Sequence, residues 1–245
     1  MREKKSGYLK ITTRITGGAG LLLILLFVTW RIADARRFQL FGSIVSRATV
    51  PDSLIALTFD DGPNPTYAEF VLETLERHDV QATFFIIGSE LTKYPEFGQQ
   101  LVAAGHELGN HSYSHARMIL KSPGFIRREI ETTDSLIRAA GYNGPIYFRP
   151  PYCKKLLTLP FYLARHHRTA VTWDLEPESF PEINKHADRI EDYILTKVRP
   201  GSIILLHPWY GAQASRDALE KVIRELQGRG YRFVTVSRLL EQAGS

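Results

Sequence analysis

Leu54-Ile55-Ala56-Leu57-Thr58-Phe59 runs directly into Asp60-Asp61-Gly62-Pro63. A near-continuous apolar run of this length, bounded by a Gly-Pro pair, reads as a buried strand that ends in a loop. Downstream, Tyr67 to His78 has helical periodicity through Phe70, Val71, Leu72 and Leu75. The alternation then repeats. Strands are expected at Ala82 to Ile87, His106 to Leu108, Ile146 to Phe148, Ala170 to Trp173, Ser202 to Leu206 and Arg232 to Val236. Helices are expected between them at Pro95 to Ala104, Phe125 to Ala140, Leu157 to His166, Ala187 to Val198 and Asp217 to Arg229. Seven strand–helix alternations without an internal repeat or a low-complexity linker predict one α/β domain on a parallel sheet, open or closed into a barrel.

Composition sets the limits of that reading. The chain has 245 residues, 44% hydrophobic and 23% charged, which excludes disorder, collagen and a multi-span membrane protein. A single cysteine, Cys153, excludes an internal disulfide framework and a structural zinc site built on several thiolates. Residues 1–37 carry eight Lys/Arg against two acids, so removing their +6 from the chain's +5 leaves −1. A nearly neutral globular part has no footprint for nucleic acid, and the expectation is no nucleic-acid partner and no obligate protein partner.

The basic tail, 1–14, precedes an uncharged run from Ile15 to Trp30 that is densest at Leu21 to Val28 and closed by Arg31. Sixteen residues span about 24 Å against a hydrocarbon core of about 30 Å, so Ile32 and Ala33 are drawn in to extend it. The expectation is a cytoplasmic tail, a transmembrane signal anchor at 15–33, a linker at 34–50 and an extracytoplasmic catalytic domain at 51–245. Ala33-Asp34-Ala35 has the form of a cleavage site, which would instead make the segment a signal peptide and the protein secreted.

Polar clusters fall where the strands end. Asp60-Asp61 follows the first, Asn110 to His115 the third, Arg149-Pro150-Pro151-Tyr152 the fourth, Asp174 and Glu176 the fifth, His207-Pro208 the sixth. Parallel strands bring these ends to one face. His111 and His115, at i and i+4, would share one side of a helical turn, and with Asp61 they make a three-ligand set that suits a divalent ion and leaves a position open. Asp60 is then placed to accept a proton from water. Arg149 can hold Asp60 and lower its pKa, and His207 stands as proton donor to a leaving group.

TFDDGP (Thr58 to Pro63), HSYSH (His111 to His115), RPPY (Arg149 to Tyr152) and LLH (Leu205 to His207) together resemble the polysaccharide deacetylases, the NodB-type family or carbohydrate esterase family four. The resemblance covers roughly Leu54 to Leu240. It implies a distorted (β/α) barrel of about seven strands and metal-dependent removal of N-acetyl groups from amino-sugar glycans such as peptidoglycan or chitin oligosaccharides. It implies Asp60 as general base and Asp61, His111 and His115 as ligands of one divalent ion, zinc, cobalt or nickel. Arg149 matches the base-orienting arginine, Tyr152 the backbone oxyanion donor, His207 the general acid and Leu205 the wall receiving the acetyl methyl.

The departures raise their own expectations. Cys153 stands where the family commonly has glycine. In Trp173-Asp174-Leu175-Glu176-Pro177-Glu178-Ser179-Phe180, Glu176 takes the place of an aspartate, and Glu176 or Asp174 is expected to raise the pKa of His207. Trp173 is expected to line a sugar cleft, and Trp209 either to do so or to pack in the core. His106 is expected to be packed; His78, His166, His167 and His186 are expected to be solvated. The competing readings are another metal-dependent hydrolysis, such as O-deacetylation, and a non-catalytic glycan binder.

Overall fold

The computed structural model describes residues 20–63, 65–209 and 212–244. The deciding strand, β2 (Leu54–Gly62), lies at the centre of the sheet. It pairs in parallel with β3 (Thr83–Ile86), with β6 (Ile203–Leu206) and, at its start, with β7 (Arg232–Phe233). β4 (Glu107–Asn110) continues the sheet beyond β3, while β1 (Ile44–Val45) pairs with β5 (Ala170–Val171). Single bridges close the ring: Asn110 to Phe148, Phe148 to Ala170, and Leu175 to Ile204. The barrel is therefore distorted because part of its circumference is carried by isolated residues rather than strands.

Strand alternation sorts β2 between two cores. Ile55, Leu57 and Phe59 point outward and pack with Phe84, Ile86, Ile204 and Leu206 against the helices. Those helices are α2 (Pro65–Arg77), α3 (Gly88–Lys93), α4 (Pro95–Ala103), α5 (Pro123–Ala139), α6 (Thr158–Arg165), α7 (Ala187–Lys197), α8 (Gln213–Gly228) and α9 (Val236–Ala243). Leu54 and Ala56 point inward with Phe85, Val171, Trp173, Ile203 and Leu205. The same parity carries Thr58 and Asp60 inward, toward the upper end of the barrel.

Several expected elements shift. Ile146 to Phe148 contributes only the bridging Phe148, since Pro145, Pro150 and Pro151 remove ladder donors on both sides. Residues 234–236, expected in the last strand, instead lead into α9, which Thr235 caps by accepting from the Arg238 N–H. β1 and α3 were too short to announce themselves by periodicity.

The N-terminal expectation is corrected in part. Residues 20–33 form a helix, α1, whose Leu21 to Val28 are exposed. Its described length is about 21 Å at 1.5 Å per residue. No helix among the described residues is long and apolar enough to cross a membrane. The expected basic tail and the start of the expected span, residues 1–19, lie outside the described residues. The segment 34–50 is not a free linker: it contains β1, and Gln39, Ser46 and Ala48 are buried. Its entry is fixed by the Lys155 N–H, which donates to the Ala33 carbonyl at 3.1 Å.

Candidate active site

Successive strand residues face opposite ways, so a regular strand could not aim both Asp60 and Asp61 at one site. The pairing of β2 with β3 shifts register between Asp60 and Gly62, and Asp61 takes φ 68°. This bulge brings both carboxylates to the same cavity. Gly62 is required by what lies behind it: a Cβ there would come within 2.9 Å of the Trp209 ring. Trp209 is buried, and its indole N–H donates to the Asp60 carbonyl, so it braces the bulge from the core side.

The two histidines converge by a route other than the expected helical turn. They lie in a loop after β4, with Ser112 at φ 66° and His115 at φ 56°. Short polar side chains fold that loop. Asn110 Oδ1 accepts from Ser112 N at 2.8 Å, and Ser112 Oγ accepts from His115 N at 3.1 Å. Glu129, buried on α5, accepts from Tyr113 N and from both Ser114 N and Oγ. Glu129 gave no sign in the sequence, because it lies fifteen residues away from the loop on an amphipathic helix.

His111 Nδ1 lies 2.8 Å from the Arg149 carbonyl and can only donate there, which leaves Nε2 as the ring nitrogen facing the site. That Nε2 is 3.6 Å from Asp61 Oδ1, and His115 Nε2 is 3.2 Å from the same oxygen. One ligand atom from each of Asp61, His111 and His115 lies within 4.8 Å of the others. Burial, then the neighbouring His111, lowers the His115 pKa to about 4, keeping it neutral as a ligand must be. Asp61 Oδ1 is buried without a hydrogen-bond partner, as suits an oxygen that ligates a cation.

Arg149 is completely buried. Its Nη1 donates to Asp60 Oδ1 at 2.7 Å and to Thr58 Oγ1 at 2.9 Å, while Nε and Nη2 are taken by the carbonyls of Val171 and Thr172. The guanidinium thus holds Asp60 through one prong and the barrel wall through the others. Burial alone would raise the Asp60 pKa, but the charges of Arg149, His111 and His207 and the Arg149 hydrogen bond outweigh it, and the pKa falls below 3.8. Asp60 is a carboxylate at neutral pH.

The acid that supports His207 is neither Glu176 nor Asp174. Glu178 makes a short contact with His207 Nδ1, accepts from the His207 backbone N–H at 2.9 Å, and accepts from Ser215 Oγ. Burial would lower the His207 pKa, but the Glu178 hydrogen bond and charge, with Asp60 and Asp61, raise it to about 10. Asp174 instead accepts from Ser202 Oγ and Ile203 N, fixing the start of β6. Glu176 accepts from the Trp173 indole at 2.9 Å and pairs with Arg36 at 2.7 Å on the rim. A 3-10 turn, Pro177–Ser179, is what carries Glu178 past the expected position.

Asp60, Asp61, His111, His115, Glu176 and His207 line a cavity of 380 Å³ together with Asp34, Arg36, Tyr152, Cys153, Trp173 and Ser179. Tyr152 holds φ 56°, and its ring packs 4.5 Å from that of His115. Leu205 is not on the wall; it is buried beneath, with Trp173 and Cys153. The Cys153 thiol is buried, and burial raises its pKa. His106 is packed as expected, with its pKa pushed by burial to about 4. A second hollow of 400 Å³ lies beyond His207 and is lined by Asn184, Lys185, Trp209 and Ala212 among others.

A parallel barrel that gathers two carboxylates, two imidazoles and a charged His–Glu pair at its strand ends defines a hydrolase site. The profile described as polysaccharide deacetylase matches residues 47–171, and the chain belongs to that family. It is 35% identical over 190 residues to a peptidoglycan-N-acetylglucosamine deacetylase of Bacillus cereus, covering 76% of this chain and 68% of that protein. It is 35% identical to a chitooligosaccharide deacetylase of a Bradyrhizobium species, covering 76% and 90%. A crystal structure of a peptidoglycan N-acetylglucosamine deacetylase superposes with a TM-score of 0.74 at 31% identity, covering 79% of this chain and 91% of that one. By family the chain is a polysaccharide deacetylase.

Proposed function

We propose that this protein removes N-acetyl groups from amino-sugar glycans outside the cytoplasm, using one divalent ion held by Asp61, His111 and His115. The observation that carries the reading is the pairing across one cavity of an ionised Asp60, oriented by Arg149, with a protonated His207, oriented by Glu178. The donor set, two imidazoles and a carboxylate with a partnerless buried oxygen, fits zinc, cobalt or nickel. When bound, such an ion acidifies water and polarises the acetamide carbonyl.

The chain's own residues do the rest. Asp60 Oδ1 is occupied by Arg149, so Oδ2, 3.6 Å from His111 Nε2, accepts the proton of the attacking water. As the water oxygen bonds to the acetyl carbon, the Tyr152 N–H stabilises the oxyanion. His207, held at Nδ1 by Glu178, gives the Nε2 proton to the amide nitrogen as the C–N bond breaks, releasing acetate and a free amine. Trp173 forms the apolar wall for the acetyl methyl, with Leu205 behind it. The second hollow past His207 lengthens the cleft for neighbouring sugars.

The similar proteins named above for peptidoglycan and chitooligosaccharide support these as the substrates to assay. The basic tail and the exposed apolar α1 support attachment of the domain to a membrane on its extracytoplasmic side. Acetate release from chitooligosaccharides and peptidoglycan, with and without chelator, is the test. Acetate that disappears with chelator and returns with zinc fits the proposal; glycan binding without acetate release refutes it.

A further inference from the structure

Large hydrophobic side chains are exposed in one region beside the cavity. Outside α1, nine are exposed among the described residues, and five of these lie in two short segments, 38–41 and 157–161. Phe38, Phe41, Leu157 and Phe161 are 51%, 42%, 53% and 49% exposed. Clustered exposed apolar surface of this kind marks an interaction site. The two segments meet: the Phe41 and Phe161 rings pack edge to face with centroids 5.7 Å apart, and Gly42, at φ 69°, lies directly against Ala164.

This patch is joined to α1. Lys154 Nζ sits 5.7 Å over the exposed Trp30 ring and 2.6 Å from Asp34, and the next residue, Lys155, bonds to the Ala33 carbonyl. Cations ring the aromatics: Arg165 lies 5.9 Å from the Phe161 centroid, and Arg31 lies 6.0 Å from that of Phe27. Aromatic groups fringed by Lys and Arg are the composition that settles at a lipid–water boundary, and Arg31, Arg36 and Arg37 against Asp34 leave residues 31–37, next to the patch, with a positive balance that matches an anionic surface.

The patch also shares its backbone with the cavity. Asp34 and Arg36, which follow α1, and Tyr152 and Cys153, which precede the Leu157 segment, line the cavity wall. Arg36 is fixed there by Glu176, by the Trp173 ring at 4.9 Å and by Thr172 Oγ1 on its carbonyl. Residues 34–36 precede residue 47, where the family match begins.

We propose that Trp30, Phe38, Phe41, Leu157 and Phe161 seat the domain on an anionic lipid bilayer, so that the cavity receives amino-sugar glycan held at the membrane surface by a lipid. This rests on the deacetylase reading for the reaction and is independent of it for the docking. Sharing segments 34–41 and 152–161 between cavity and patch fixes the distance of the chemistry from the lipid.

The test uses the full chain in phosphatidylglycerol-containing vesicles, with a photo-crosslinking benzoylphenylalanine at position 41 or 161, or at Lys221 on the exposed side of α8 as control. Crosslinks to lipid from 41 and 161 and none from 221 are expected. Crosslinks to a second copy of the chain, or equal lipid labelling at all three positions, would overturn the docking. In a second arm, Phe161→Glu should cut acetate release from an N-acetylglucosaminyl phosphopolyprenol in those vesicles at least tenfold and leave release from soluble chitooligosaccharide unchanged. Equal loss on both substrates would overturn the membrane-held substrate. Absence of acetate from every substrate with the wild type would refute the deacetylase reading while the crosslinks still decide the docking.

Discussion

Replacing Glu178 by Gln keeps the shape of the group that holds His207 and removes its charge. The His207 pKa, raised to about 10 chiefly by the Glu178 hydrogen bond and charge against the downward pull of burial, then relaxes toward its ordinary 6.5. At pH 8 the protonated fraction falls from ~0.99 to ~0.03, so a step that needs a proton from His207 slows by roughly 30-fold. At pH 6 both forms are mostly protonated, and the loss shrinks to less than about twofold. The assay is the pH profile of kcat for acetate release from a chitooligosaccharide, wild type against Glu178→Gln. The alkaline limb should move down by about 3.5 pH units, with metal content unchanged. A Glu178→Gln profile that is lower at every pH but has its alkaline limb unmoved would refute the assignment of His207 as proton donor supported by Glu178.

His115→Ala removes one of three metal donors and should lower zinc stoichiometry after dialysis below half of wild type, read by elemental analysis; full retention would reject the ligand assignment. His106 is buried and neutral, with a folded pKa of about 4 against 6.5 when unfolded. Between those values the unfolded chain binds the extra proton, so stability is complete above pH 6.5 and is lost as pH falls toward 4, by about 3 kcal/mol in total. His106→Asn should flatten that part of the Tm-against-pH curve, and an unchanged slope would place the acid sensitivity elsewhere. Gly62→Ala drives a methyl into the Trp209 ring that braces Asp60, and should cost about 1–3 kcal/mol in chemical denaturation and lower kcat with it.

Much of the barrel was legible because β2, β3 and β6 are apolar runs that end at polar clusters, and because helical periodicity is strong in α2, α5 and α8. The strand-end residues Asp60, Asp61, His111, His115 and His207 line one cavity, with Arg149 buried behind Asp60. What the sequence concealed depends on backbone conformation and long-range packing. The Asp60-Asp61 doublet works through a bulge with φ 68° at Asp61, and the histidines meet through left-handed turns at Ser112 and His115. Neither is visible in a side-chain period. The choice of Glu178 over Glu176 depended on a 3-10 turn that rotates the acid toward β6. The role of segment 34–50 was missed because β1 is two residues long and its burial comes from partners more than a hundred positions away.

In the proposed reaction Asp60 and the trio Asp61, His111 and His115 perform separable tasks, proton acceptance and metal holding. Acetate release and bound zinc measured on the same preparations of wild type and Asp60→Asn test that separation most directly. Equal zinc in both and at least a hundredfold less acetate from Asp60→Asn are expected. Full acetate release by Asp60→Asn, or loss of its zinc, would contradict it.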